Sequence, residues 1–170
     1  MKKSLIYLLL IVSLYSCTTL FNHSTRQTIQ KNDKSNIEKV QFYTDRTILL
    51  EYKSKTQDDD IKNGKVEIKE GYYYYFIEIP KKTQCVAEHL NNSQISLKFE
   101  EGNNRLIFGW NKSDNLYYLN GKTKKGKYYV EYEGKDFLIT EGLGTKLLIK
   151  KNNDIKSETE KRKVSGVKVN

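Results

Sequence analysis

Between Val40 and Lys150 the chain repeats one pattern. Short runs alternate apolar and polar side chains, and a Gly- or Asn-containing turn closes most of them. A period of two sends alternate side chains to opposite faces of an extended backbone, so these runs are read as half-buried strands. Thr47 to Lys53 sets Ile48, Leu50 and Tyr52 on one face and Thr47, Glu51 and Lys53 on the other. Ile95, Leu97 and Phe99 alternate with Ser96, Lys98 and Glu100. Glu101-Gly102-Asn103-Asn104 then turns the chain, and Leu106, Phe108 and Trp110 answer on the way back. Residues 94–100 with 105–110 form the clearest hairpin.

Tyr72 to Ile79 is the strongest strand. Tyr73, Tyr75, Ile77 and Ile79 share one face, and Tyr72, Tyr74, Phe76 and Glu78 the other. Aromatic and apolar residues dominate both faces, which predicts a central strand covered on both sides. Pro80 ends it, because proline cannot donate to a ladder. Val40–Tyr43, Val66–Ile68, Gln84–Leu90, Leu116–Leu119, Lys127–Glu133, Asp136–Thr140 and Thr145–Lys150 supply further short strands. The chain has a single proline and thirteen tyrosines, and β-branched and aromatic residues favour strands over helices. The expected fold class is all-β, with about 8–10 short strands in a small SH3-like barrel or an antiparallel sandwich. No helix is expected after residue 17.

The N-terminus has a different plan. Met1-Lys2-Lys3-Ser4 is a short basic segment, and Leu5 to Leu14 is the only long apolar run. Ten residues fit the core of a signal peptide but not a transmembrane helix, which needs about 20 apolar residues. The run ends in Leu14-Tyr15-Ser16-Cys17. This stretch resembles the lipobox of bacterial lipoproteins: Leu three residues before the cysteine, a small residue directly before it, then the cysteine. Tyr15 departs from the small or branched residue usual at its position. The resemblance implies cleavage before Cys17, a diacylglycerol on the Cys17 thiol and anchorage by several acyl chains. Each buried CH₂ contributes about 0.8 kcal/mol to such an anchor.

The expected organisation is therefore a signal peptide at 1–16, then lipidated Cys17 with a flexible polar tether to residue 38. An all-β domain follows over 39–150, and then a charged tail over 151–170. Val164, Val167 and Val169 could add a last short strand to the tail. A tether of that length would hold the domain roughly 25 Å from the bilayer. No acidic cluster follows Cys17, which favours an outer-membrane protein facing the periplasm.

The formal charge is +9, and removing Lys2 and Lys3 with the signal peptide lowers it by two, to +7. A basic surface suits acidic partners such as anionic glycans, lipid headgroups or acidic proteins. Nucleic acid is not an expected partner outside the cytoplasm. With Cys17 lipidated, Cys85 is the only free thiol and is expected to be buried as a small hydrophobe.

Little points to catalysis. His23 and His89 are the only histidines, and Asp58-Asp59-Asp60 lacks the alternating acids of a calcium loop, so no metal or cofactor is expected. Gly121-Lys122-Thr123 lacks the earlier glycine of a phosphate loop, because Leu116 occupies that position. Cys85 and His89 would lie about 13 Å apart on one strand face, too far to pair directly.

Binding is the better expectation. Tyr72, Tyr74, Trp110, Tyr117 and Tyr129 are the candidate aromatic contacts, and Lys122, Lys124 and Lys125 the candidate basic ones. The expected function is a lipid-anchored binding or structural module of an envelope assembly. Its partner would be another envelope protein or an anionic glycan or lipid. A lipocalin-like carrier would place a Gly-x-Trp near the first strand, whereas the only tryptophan, Trp110, directly follows Gly109 in mid-chain. A lipoprotein inhibitor of a basic envelope-degrading enzyme would be repelled by the +7 charge.

Overall fold

A computed structural model of the protein describes residues 18–32, 36–58, 61, 64–101 and 104–150. The expected signal peptide, Cys17, Asp59-Asp60 and the tail with its expected last strand lie outside the described residues.

The fold is an antiparallel β-sandwich of thirteen short strands among the described residues. The strands are β1 (Thr18–Leu20), β2 (Gln41–Thr44), β3 (Ile48–Ser54), β4 (Lys65–Lys69), β5 (Tyr72–Ile79), β6 (Gln84–Leu90) and β7 (Gln94–Lys98). They continue with β8 (Arg105–Asn111), β9 (Leu116–Leu119), β10 (Lys122–Lys124), β11 (Lys127–Tyr132), β12 (Lys135–Glu141) and β13 (Leu147–Lys150). One sheet, sheet A, has the order β1-β13-β2-β6-β7-β8-β9. Sheet B has the order β10-β11-β12-β3-β5-β4. Two separate sheets make this a sandwich and not a closed barrel.

The alternation read from sequence fixes the inner faces. Ile48, Leu50, Tyr75, Ile77 and Phe137 from sheet B meet Phe42, Cys85, Leu97, Leu106 and Phe108 from sheet A in one buried cluster. The 94–98 hairpin pairs as expected, with Ile95 opposite Phe108 and Leu97 opposite Leu106. Cys85 is buried, and burial pushes its thiol up to about 12, so it packs as a hydrophobe.

Tight turns join several of the strands within a sheet, and four connections switch sheets: 45–47, 80–83, 120–121 and 142–146. Three hairpins use a residue followed by glycine, both with positive φ: Glu70-Gly71, Lys125-Gly126 and Glu133-Gly134. Such pairs match the right-handed twist of the strands they join.

Two expectations are corrected. The first is the tether. The described residues of this segment are not a free coil: β1 pairs with β13, a helix α1 spans His23–Asn32, and a 3₁₀ turn spans Asn36–Lys39. Phe21, Ile29 and Ile37 are buried in the main core. Asn22 caps α1, its Oδ1 accepting from the Thr25 N–H at 2.8 Å. The segment looked polar because its buried helical face consists of Arg26 and Ile29, and hydropathy scores a buried arginine as solvent-facing.

The second correction concerns β5. It has a neighbour on each side within sheet B, yet only its inner face is covered. Tyr75, Ile77 and Ile79 are buried, Tyr72, Tyr74 and Phe76 are half-buried, and Glu78 is exposed. Lys53 covers the outer rings: its ammonium lies 3.9 Å from the Tyr72 ring centre and 5.0 Å from that of Tyr74.

Candidate functional site

A groove of about 730 Å³ lies between β7–β8 and β11. One wall is the outer face of β7 and β8, with Gln94, Ser96, Arg105 and Ile107. The other is β11 and the turn after it, with Tyr129, Glu131 and Glu133. The β9–β10 crossover, Asn120-Gly121-Lys122, closes one end.

The backbone explains why the groove exists. β10 pairs with β11 only as far as Tyr129, so from Val130 onward β11 has one sheet neighbour, β12. Beyond that point sheet B gives way to the groove. Gly121 lets the crossover pass close to β11, since a Cβ there would lie 3.1 Å from the Tyr129 carbonyl oxygen.

The groove carries both charge signs. Arg105 pairs with Glu88 at a partly buried position, and Lys122 lies 3.8 Å from Glu131 largely in solvent. Beside it is a polar network: Tyr132 donates its hydroxyl to Glu100 Oε1 at 2.6 Å, and Asn104 Nδ2 donates to the same oxygen at 2.8 Å. Burial and then Glu100 push the Tyr132 phenol well above its usual range, so it stays protonated as the donor.

Of the residues singled out from sequence, Lys122 and Tyr129 line this groove. Lys124 stands next to it, paired with Asp136 and 5.8 Å from the Tyr129 ring centre. Lys125 is exposed in the β10–β11 turn, in the left-handed conformation. Tyr72 and Tyr74 lie on the same outer face of sheet B, but on β5, four strands from β10. The remaining two belong to sheet A. Tyr117 is completely buried and is corrected from a contact residue to a core residue.

Trp110 is half-buried and stacks on His23, ring centres 3.8 Å apart and planes 12° from parallel. The residues missed from sequence are Arg105, Ile107, Asn120 and, on β7, Gln94 and Ser96. Ile107 did leave a signal. It is an apolar residue at the outward position of an otherwise alternating strand, and it is 45% exposed.

The cluster under Trp110 holds α1 to the sandwich. The Arg26 guanidinium donates to the Tyr117 hydroxyl at 3.0 Å and to the Asn91 carbonyl. Tyr117 lies 2.7 Å from His23 Nδ1. The Tyr117 oxygen accepts from arginine, and which partner donates between Tyr117 and His23 Nδ1 is set by the imidazole tautomer. Burial first, and Arg26 second, hold His23 below its ordinary value of 6.5.

A lowered histidine value means that protonation opposes this packing, so the contribution is lost as pH falls below 6.5. Trp110 is the only tryptophan and reports on it directly. Its fluorescence is expected to change in one step with a midpoint below 6.5, and the step is expected to vanish in His23→Ala. An unchanged step in that variant would reject the assignment.

Among the described residues no group of three His, Cys, Asp or Glu is placed to hold a metal, and no helix is long and apolar enough to cross a membrane. Comparison with protein-family models, curated proteins and solved structures finds no match for this chain.

Proposed function

We propose that the protein is a lipid-anchored binding module of the bacterial cell envelope. In this reading Cys17 holds it in the outer membrane, facing the periplasm. It serves an envelope assembly by taking an extended segment of a partner protein in the groove between β8 and β11.

The mixed wall of the groove carries the choice of ligand. It offers an exposed apolar side chain (Ile107), a half-buried ring (Tyr129), amides (Gln94, Asn120) and charges of both signs. A peptide presents the same mixture. An anionic glycan or lipid headgroup would meet Arg105 and Lys122, but also the carboxylates of Glu131 and Glu133. A lipocalin-like carrier would need an apolar chamber between the sheets, and that space is filled by Phe42, Leu50, Phe108 and Phe137. The role proposed is binding without catalysis.

Photo-crosslinking in cells tests the groove. A benzophenone amino acid at position 107 is expected to trap one or a few envelope proteins, and the same group at position 74 to trap none of them. Tyr129→Ala is expected to weaken recovery of that partner roughly tenfold, the loss usual for a buried aromatic contact. Equal trapping at both positions would overturn the groove assignment. The anchor is tested separately: Cys17→Ser is expected to abolish acyl-lipid labelling.

A further inference from the structure

We infer that the first strands of sheet A rest directly on the bilayer, with phospholipid headgroups as the ligand of their outer face. This deepens the proposed function and rests on its lipid anchor at Cys17. The key observation is the loss of the tether. β1 begins at Thr18, one residue after Cys17, and consecutive Cα atoms are about 3.8 Å apart. Acyl chains on Cys17 would bring the edge of sheet A to the headgroup layer with no slack.

The surface at that edge has a fitting composition. Register sets Thr18, Lys150, Gln41 and Val86 in one row across β1, β13, β2 and β6. Leu20 pairs with Leu148 in the next row. Leu147, Ile149, Cys85 and Ala87 point into the core, so Leu148, Lys150 and Val86 point outward with Thr18, Leu20 and Gln41, while Tyr43, opposite Leu148 on the same face, is buried. Leu20 is 40% exposed and Val86 42%. None of these six is a carboxylate, and Lys150 supplies a positive charge for lipid phosphate. Exposed aliphatic groups beside a lysine suit the boundary between headgroups and acyl chains. β6 lies three strands from β1, so the face extends about 14 Å from the anchored strand.

The groove is compatible with this placement. Neighbouring strands rotate by about 20–25°, so sheet A turns through roughly 100° or more between β1 and β8. Ile107 on β8 lies five strands from β1 and two from β6, so it is turned by roughly 100° or more from Leu20 and by about 40–50° from Val86.

The test uses the full-length processed protein in vesicles of phosphatidylethanolamine and phosphatidylglycerol. Its intact mass is measured first. A nitroxide is attached at Val86→Cys, or at Gln41→Cys should that variant not fold, and at Lys127→Cys as the control on sheet B. Cys85 is buried and does not compete for the label. Reduction by ascorbate is expected to be several-fold slower at position 86 in vesicles than in the Cys17→Ser form, and unchanged at position 127. If the mass includes diacylglycerol and the label at 86 is reduced as fast as the label at 127, the membrane-facing surface is overturned and the anchor stands. A mass without lipid on Cys17 overturns the anchor and this inference together.

Discussion

Phe21→Ala is expected to destabilise the domain by about 3–5 kcal/mol, the usual cost of truncating a fully buried phenylalanine. Phe21 is completely buried, edge-on to Phe42 with ring centres 5.0 Å apart and stacked on Tyr117 at 5.4 Å. Its N–H donates to the Leu147 carbonyl at 2.8 Å, which seats it beside β13. Removing the ring opens a cavity where β1, α1 and sheet A meet. Urea unfolding of the Cys17→Ser form, followed by Trp110 fluorescence, measures the loss. A free tether would give a change within about 0.5 kcal/mol, as surface substitutions do. That small a change would show that residues 18–32 do not belong to the cooperative unit. It would also restore the distance from the membrane that the further inference removes.

Gly142→Ala is expected to cost at least about 3 kcal/mol, from a left-handed backbone penalty of about 1–2 kcal/mol plus a steric clash. Gly142 has φ +86, and a Cβ there would lie 2.4 Å from the Thr47 carbonyl oxygen and 2.8 Å from Ile48 Cα. Both are backbone atoms and cannot swing aside. Gly142 also begins the crossover from sheet B to sheet A, where its carbonyl accepts from the N–H of buried Thr145 at 3.0 Å. Gly134→Ala is the control. Its φ is +71, but nothing lies within 4 Å of the added atom, so only the backbone penalty of about 1–2 kcal/mol applies. Similar losses at the two positions would reject the steric account.

The strands were legible because side-chain period and turn chemistry are local. Ile95, Leu97, Leu106 and Phe108 needed only their own spacing to be assigned inward, and Pro80 only its residue type to be assigned a strand end. Coverage of the outer faces was not legible. Tyr72 and Tyr74 are as hydrophobic in sequence as Tyr73 and Tyr75, and only the position of the opposing sheet separates core from surface. Tyr117 shows the reverse. Its residue type suggests a contact residue, yet it is buried, because its hydroxyl finds Arg26 and His23 on a helix 91 and 94 residues away in the chain.

The candidate site was half visible. Lys122 and Tyr129 were chosen by residue type, but their partners Arg105, Ile107 and Gln94 lie on the other sheet. No local pattern records that β10 stops pairing at Tyr129 and leaves a groove beside β11.

By itself the sequence determined the all-β class, the inward positions of most strands, the turns and the lipobox resemblance at Cys17. Those follow from side-chain alternation over a few residues and from short motifs. Only the tertiary structure decided that residues 18–32 are folded, that the sheets form a sandwich, and which aromatic faces meet solvent. Those depend on contacts between distant segments. Arg26 is polar by composition and buried only because Tyr117 and Asn91 are there to receive it.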